Sequence, residues 1–187
     1  MPHVRTLTRI SAIAVLLTCF AAKAEATPLL LGQTLEIGYQ FPSIGTTFDS
    51  RTVVVGAGTE WSGVLGYVDV NVSDTNILFT FLGSNIFTPS SFGGFRFRDS
   101  LGLIPTFTSA TLNASSNMTG LTQSRVTFDA DQIWVNWQGL SFTPATIVSI
   151  DITGAAELSE APEPATFALL GTGLALIFAR RRRSNRA

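Results

Sequence analysis

Asp129 and Asp131 form the closest pair of carboxylates in the chain. Paired carboxylates can act as acid and base, or acid and nucleophile, in glycoside hydrolysis when their separation is right. Two residues apart in Asp129-Ala130-Asp131, they fit a solvated hairpin loop better, and no catalytic residue is assigned. Asp69, Asn71, Ser73 and Asp74 resemble the start of a calcium loop, but such a loop needs Gly at its sixth place and an acid at its twelfth. Those places hold Asp74 and Thr80. Trp134, followed at two-residue steps by Asn136 and Gln138, is the candidate ligand contact: an outward indole beside two amides can stack on a sugar ring. Sheet covering is the alternative for that ring. Arg96 and Arg98 share a face, where they would clamp an acidic polysaccharide or charge a strand edge against aggregation.

Most other chemistry lacks its residues. His3 is the only histidine, Cys19 the only cysteine, and Thr27 to Glu160 contains no lysine. That stretch therefore offers no imidazole or amine base, no thiol nucleophile and no soft ligand for zinc or copper. It also has no Gly-rich phosphate loop. We expect no enzyme activity, no metal and no cofactor. The formal charge of −1 conceals a partition along the chain. The body carries eleven acids against Arg51, Arg96, Arg98 and Arg125, while both ends are basic. An acidic body does not suit nucleic acid, which is bound through a basic face.

The body reads with a period of two. Leu35, Ile37 and Tyr39 alternate in TLEIGYQF, and Val68, Val70 and Val72 in YVDVNVS. Phe95 and Phe97 alternate with Arg96 and Arg98. Ile133, Val135 and Trp137 alternate with Trp134 and Asn136, and Val148, Ile150 and Ile152 with Ile147, Ser149 and Asp151. This is the pattern of half-buried strands. NILFTFL is apolar on both faces and suits a central strand. Turn-forming clusters at 73–76, 88–91, 92–94 and 129–131 punctuate the runs. The expectation is an all-β fold: an antiparallel β-sandwich of about nine strands, jelly-roll-like or Ig-like, over residues 27–154.

Both ends read as targeting segments. Residues 1–26 combine Arg5 and Arg9, an apolar run from Ile10 to Ala22, and the small-x-small patterns Ala22-Lys23-Ala24 and Ala24-Glu25-Ala26. That is the organisation of a secretory signal peptide. A short acidic linker, 155–161, leads to Pro162-Glu163-Pro164. Residues 165–179 follow without a charge, and then Arg180, Arg181, Arg182 and Arg183. A 15-residue helix is about 22 Å long, short of the ~30 Å hydrocarbon core. Snorkelling arginines make up part of the difference. The signal peptide and the positive-inside tendency agree on an exported body, a transmembrane helix at 165–179 and a cytoplasmic basic tail.

Proline at 162 and 164 fixes φ and removes backbone donors, so the triplet should be stiff, extended and unpaired. The order Pro-Glu-Pro, short apolar segment, arginine cluster resembles the PEP-CTERM sorting signal of exopolysaccharide-producing Gram-negative bacteria. The resemblance covers about 27 residues at the C-terminus, 162–187 being the signal itself. It implies recognition and processing by an exosortase, a membrane-embedded cysteine transpeptidase, with Pro162, Glu163, Pro164 and Arg180 to Arg183 as the motif residues. It transfers no activity to the body. The resulting expectation is an exported protein of the cell surface or extracellular matrix, first tethered in the inner membrane and then released from it. Its role would be structural or adhesive, with exopolysaccharide as the accompanying partner. A carbohydrate-binding module of the same architecture is the alternative.

Overall fold

The computed structural model describes residues 27–155. The expected signal peptide 1–26, the apolar segment 165–179, the triplet 162–164 and the arginines 180–183 lie outside them. Twelve strands occur among the described residues: β1 Thr34–Gln40, β2 Thr47–Val54, β3 Thr59–Val64, β4 Val68–Val72, β5 Asn76–Phe81, β6 Asn85–Ile86, β7 Gly94–Arg98, β8 Phe107–Leu112, β9 Val126–Phe128, β10 Gln132–Asn136, β11 Ser141–Phe142 and β12 Ile147–Gly154. The one helical element among the described residues is a 3₁₀ turn, Gln123–Arg125. No helix among the described residues is long and apolar enough to cross a membrane.

The described residues are all-β, and every strand pairing among them is antiparallel. One sheet runs β2-β1-β7-β10-β9, a second runs β3-β4-β5-β12-β8, and β11-β6 form a two-stranded ribbon. The count exceeds the nine expected because β6 and β11 are two residues each and β9 is three. Runs that short carry no readable period.

Alternation places the core. Leu35, Ile37, Phe95, Phe97, Ile133 and Val135 are fully buried on one sheet. Val68, Val70, Val72, Ile77, Phe79, Val148 and Ile150 are fully buried on the other. Among the described residues they join in one hydrophobic cluster running from Leu29 to Ile152, within the compact unit Ala26–Ser159. Aromatic rings meet across the sheets: Phe79 of β5 lies 5.3 Å from Phe95, 5.8 Å from Phe97 and 4.7 Å from Trp137 by ring centroid. Edge-to-face and tilted contacts of this kind add to what burial alone contributes. NILFTFL supplies β5, the middle strand of its sheet.

The registers sort the connections into two ends. Residues 41–46, 65–67, 82–93 and 137–146 cluster at one end, where Gln40 pairs with Thr47 and Gly94, and Val68 with Val64 and Phe81. The opposite end holds the turns at 73–75 and 129–131, together with residues 27–33 and 155. There Leu30 N–H donates to Asp74 Oδ1 (3.0 Å) and Ala155 N–H to the Thr106 carbonyl (2.8 Å). The described chain thus enters and leaves at the same end.

Gly94, where β7 begins beside β10, has no room for a side chain. A Cβ there would lie 1.8 Å from the Val135 carbonyl oxygen and 2.7 Å from the Trp137 ring. Gly94→Ala should therefore destabilise the domain by about 3 kcal/mol through overpacking against backbone. The check is a urea unfolding midpoint, and an unchanged midpoint would contradict this packing.

Candidate functional site

Most of the body's carboxylates are engaged in holding the fold, whereas the exposed Asp131 carboxylate has no hydrogen-bond partner among the described residues. Asp99, buried, accepts from Leu101 N–H (3.1 Å) and Gly102 N–H (2.8 Å) at Oδ1 and from Ile104 N–H (2.8 Å) at Oδ2. Asp129 Oδ1 accepts from Asp131 N–H (3.0 Å) and Gln132 N–H (2.8 Å), which makes 129–131 a hydrogen-bonded hairpin turn. Asp69 Oδ1 accepts from Ser62 Oγ and Gly63 N–H, both at 2.7 Å. Glu60 binds the backbone N–H groups of Gly56 and Val72. Asp151 takes the amides of Asn76 (2.8 Å) and Asn113 (2.6 Å). Asp69 and Asp74 bind different segments, and no group of three His, Cys, Asp or Glu side chains converges among the described residues.

The arginines are also engaged. Arg96 pairs with Glu36, with Arg98 3.7 Å from the same carboxylate. Arg125 donates to the carbonyls of Asn136 (3.3 Å) and Gln138 (3.0 Å), and Arg51 sits 5.5 Å over the Trp61 ring.

Trp134 lies on the outer face of its sheet, opposite Arg96 and Thr127, and is half-buried. Its indole N–H is covered, with no hydrogen-bond partner among the described residues. Asn136 Oδ1 accepts from Gly93 N–H (3.3 Å) and Gln138 N–H (3.1 Å), while Gln138 Oε1 accepts from Ser90 N–H (3.4 Å). The acceptors of these two amides thus hold the 90–93 connection against the sheet. The three residues are neighbours along the chain, but they do not present a common set of free polar groups.

A different feature gathers side chains into a concave site. At the end remote from residues 27 and 155 lies an open cleft of about 250 Å³. Its walls include Tyr39, Phe41, Phe48, Tyr67, Phe87 and Phe142, with Leu65 and Ile86 between them. Its only polar lining is Asn85, Thr88 and the tyrosine hydroxyls. Phe48 (68% exposed) and Ile86 (60%) stand at its rim. Both sheets contribute: Tyr39 packs edge-on against Phe48 at 6.4 Å, and Tyr67 tilts onto Phe142 at 6.0 Å.

One wall is held at a conformational cost. The β3–β4 connection turns through Leu65 (φ 52°) and Gly66 (φ 78°), with Tyr67 N–H donating to the Val64 carbonyl at 3.0 Å. Two central residues at positive φ make the hairpin turn that ordinarily favours Asn-Gly. Left-handed backbone costs a non-glycine residue about 1–2 kcal/mol. The turn here carries an apolar side chain in the first place and points it into the cleft lining.

Comparison with known proteins bears on the far end of the sequence. No curated protein and no solved structure matches the chain. Residues 160–183 match the PEP-CTERM protein-sorting motif. This chain carries a PEP-CTERM sorting motif. The match spans Pro162, Glu163, Pro164 and Arg180 to Arg183, and the motif implies an exported protein sorted by exosortase. The PEP-CTERM motif begins six residues beyond Gly154, where β12 ends, and its residues lie outside the described part of the chain.

Burial in the cleft wall raises the Tyr39 phenol above its ordinary value. The folded chain therefore favours the neutral phenol more than the unfolded chain does. That stability is fully present below about pH 10, the unfolded value, and is lost as pH rises through the higher folded value. Tyr39→Phe should flatten the fall in urea midpoint between roughly pH 9.5 and 11.5. An equal slope in both proteins would contradict the burial of this hydroxyl.

Proposed function

We propose that the mature protein is a structural or adhesive component of the cell surface or extracellular matrix, delivered there through its PEP-CTERM tail. Residues 165–179 would tether it in the inner membrane with the body outside, until exosortase processing releases it among the exopolysaccharide. The observation that carries this reading is the sorting motif at 160–183, set directly behind a self-contained β-domain. The two antiparallel sheets support a sandwich for that domain, and a role that is not catalytic is supported by the absence of any converging group of three His, Cys, Asp or Glu side chains among the described residues.

Two measurements in the native host test the proposal. Deleting Pro162–Pro164 should leave the protein exported but retained in the inner-membrane fraction with its tail intact. Mass spectrometry of the wild-type surface product should show a C-terminus upstream of Arg180. A surface product that still ends in Arg180–Ala187, or normal release of the deletion variant, would overturn the reading.

A further inference from the structure

The rings that wall the cleft face several ways. Tyr39 and Phe48 meet at 89°, Tyr67 and Phe142 at 57°, and Phe87 and Phe142 at 39°. No residue of the lining is charged, and the one ionised residue next in sequence to a lining residue is Asp49. Asp49 follows Phe48 and stands directly across the β1–β2 ladder from Tyr39. The register shift between Tyr39 and Gln40 leaves Phe48 as an extra residue, so Phe48 and Asp49 both stand beside Tyr39. Residues opposite each other in an antiparallel pair share a face, with Cβ atoms about 5 Å apart. The Asp49 carboxylate is therefore on the Tyr39 side of the sheet, at the Phe48 rim of the cleft. It is exposed, and its Oδ1 accepts from the Ser50 N–H (2.8 Å). Arg51, on the same face two residues on, lies over the Trp61 ring instead of pairing with it. The described residues as a whole carry nine acids against four arginines, a balance that draws cations to the surface.

We propose that the cleft is a binding site for a quaternary ammonium group, a trimethylammonium head of the kind choline carries. An aromatic ring has a negative face, and a cation within about 6 Å of its centroid is attracted to it. A cleft of about 250 Å³ brings several of its walls within that range of one occupant. A trimethylammonium group is comparable in bulk to benzene, which fits an apolar cavity of about 150 Å³, so there is room for it. Its methyl groups pack against apolar walls. Its charge carries no N–H and so asks for no acceptor inside the cleft. A lysine or arginine head would need several acceptors, and the lining offers only Asn85, Thr88 and the tyrosine hydroxyls. The Asp49 carboxylate acts on the bound cation from the rim, where it stays in water. An anion would be repelled by the ring faces and by Asp49, and a neutral ligand would gain nothing from that carboxylate. The site goes beyond the structural or adhesive reading above and does not depend on it.

The test is a titration of the full chain, in a nonionic detergent, with choline, followed by saturation transfer to the choline methyl protons. Binding should saturate with a Kd in the millimolar range and weaken as salt is added. The tert-butyl analogue of choline, uncharged and of the same shape, should bind at least about tenfold more weakly. Phe48→Leu keeps an apolar side chain and removes a ring. It should weaken choline binding about fivefold and leave the analogue unchanged. Asp49→Asn should weaken choline binding about threefold and reduce its salt dependence. Both positions are exposed, and an unchanged circular dichroism spectrum would show that the fold persists. Glycerophosphocholine distinguishes the sources of the group: equal affinity fits a lipid headgroup, and a preference for choline fits a free molecule. No saturation up to about 0.1 M choline, equal affinity for the uncharged analogue, or unaltered choline affinity in Phe48→Leu would each overturn the proposal. None of these outcomes bears on the localisation and mass measurements, so failure here is distinct from failure of the sorting reading.

Discussion

Contact between aromatic rings of the two sheets is the constraint on which the rest of this structure depends. Phe79 is completely buried and reaches Phe95, Phe97 and Trp137 on the facing side. Rings of that size hold two sheets together only if each neighbouring strand also presents its apolar residues inward, because a one-residue slip would turn every ring to solvent. The alternation along β1, β4, β7, β10 and β12 follows from that demand. So does the near-exclusion of charge from the interior, where Asp99 is the one buried charged side chain among the described residues.

The two ends of the domain are held by different chemistry. Around residues 27 and 155, carboxylates organise the turns: Asp74 gathers Leu30 and Leu31, Asp99 gathers 101–104, and Asp129 closes its own hairpin. Hydrogen bonds from backbone N–H to a carboxylate are charge-assisted and fix loop geometry tightly. The remote end is organised by the Ser43–Thr46 and Thr143–Thr146 pairs, by Arg125 on the carbonyls of Asn136 and Gln138, and by rings that pack against one another. That division leaves the remote end with the apolar surface that an acidic protein otherwise keeps small.

What was legible in the sequence follows from which residues face two environments at once. Val68, Val70 and Val72 alternate with Asp69 and Asn71, so β4 announced itself. β2 did not, because Thr47–Val54 is an edge strand exposed on nearly every residue and has no buried stripe to read. Trp134 and Asn136 lie on β10 and Gln138 just beyond it, and spacing could not reveal that both amide acceptors bind the 90–93 connection. The cleft was hidden for another reason. Tyr39, Phe48, Tyr67, Ile86 and Phe142 are scattered over about a hundred positions, and only the topology brings them together. The available signal was local: large apolar residues inside turns that lack any charge. Leu65 before Gly66, where Asn would be unstrained, is the sharpest instance.

The pairing of β12 also has a mechanical consequence. Its last residue, Gly154, is the point from which the chain runs on toward the sorting motif. β12 is bonded to β5 over Ile147–Asp151 on one side and to β8 over Ile150–Gly154 on the other. Tension applied from beyond Gly154, and resisted at the cleft end, runs parallel to the strand. It therefore loads two hydrogen-bond ladders in shear, with the bonds sharing the force, instead of peeling them one at a time. A pull on the chain beyond Gly154 thus grips the domain through an interior strand, the part of its sheet hardest to pull free.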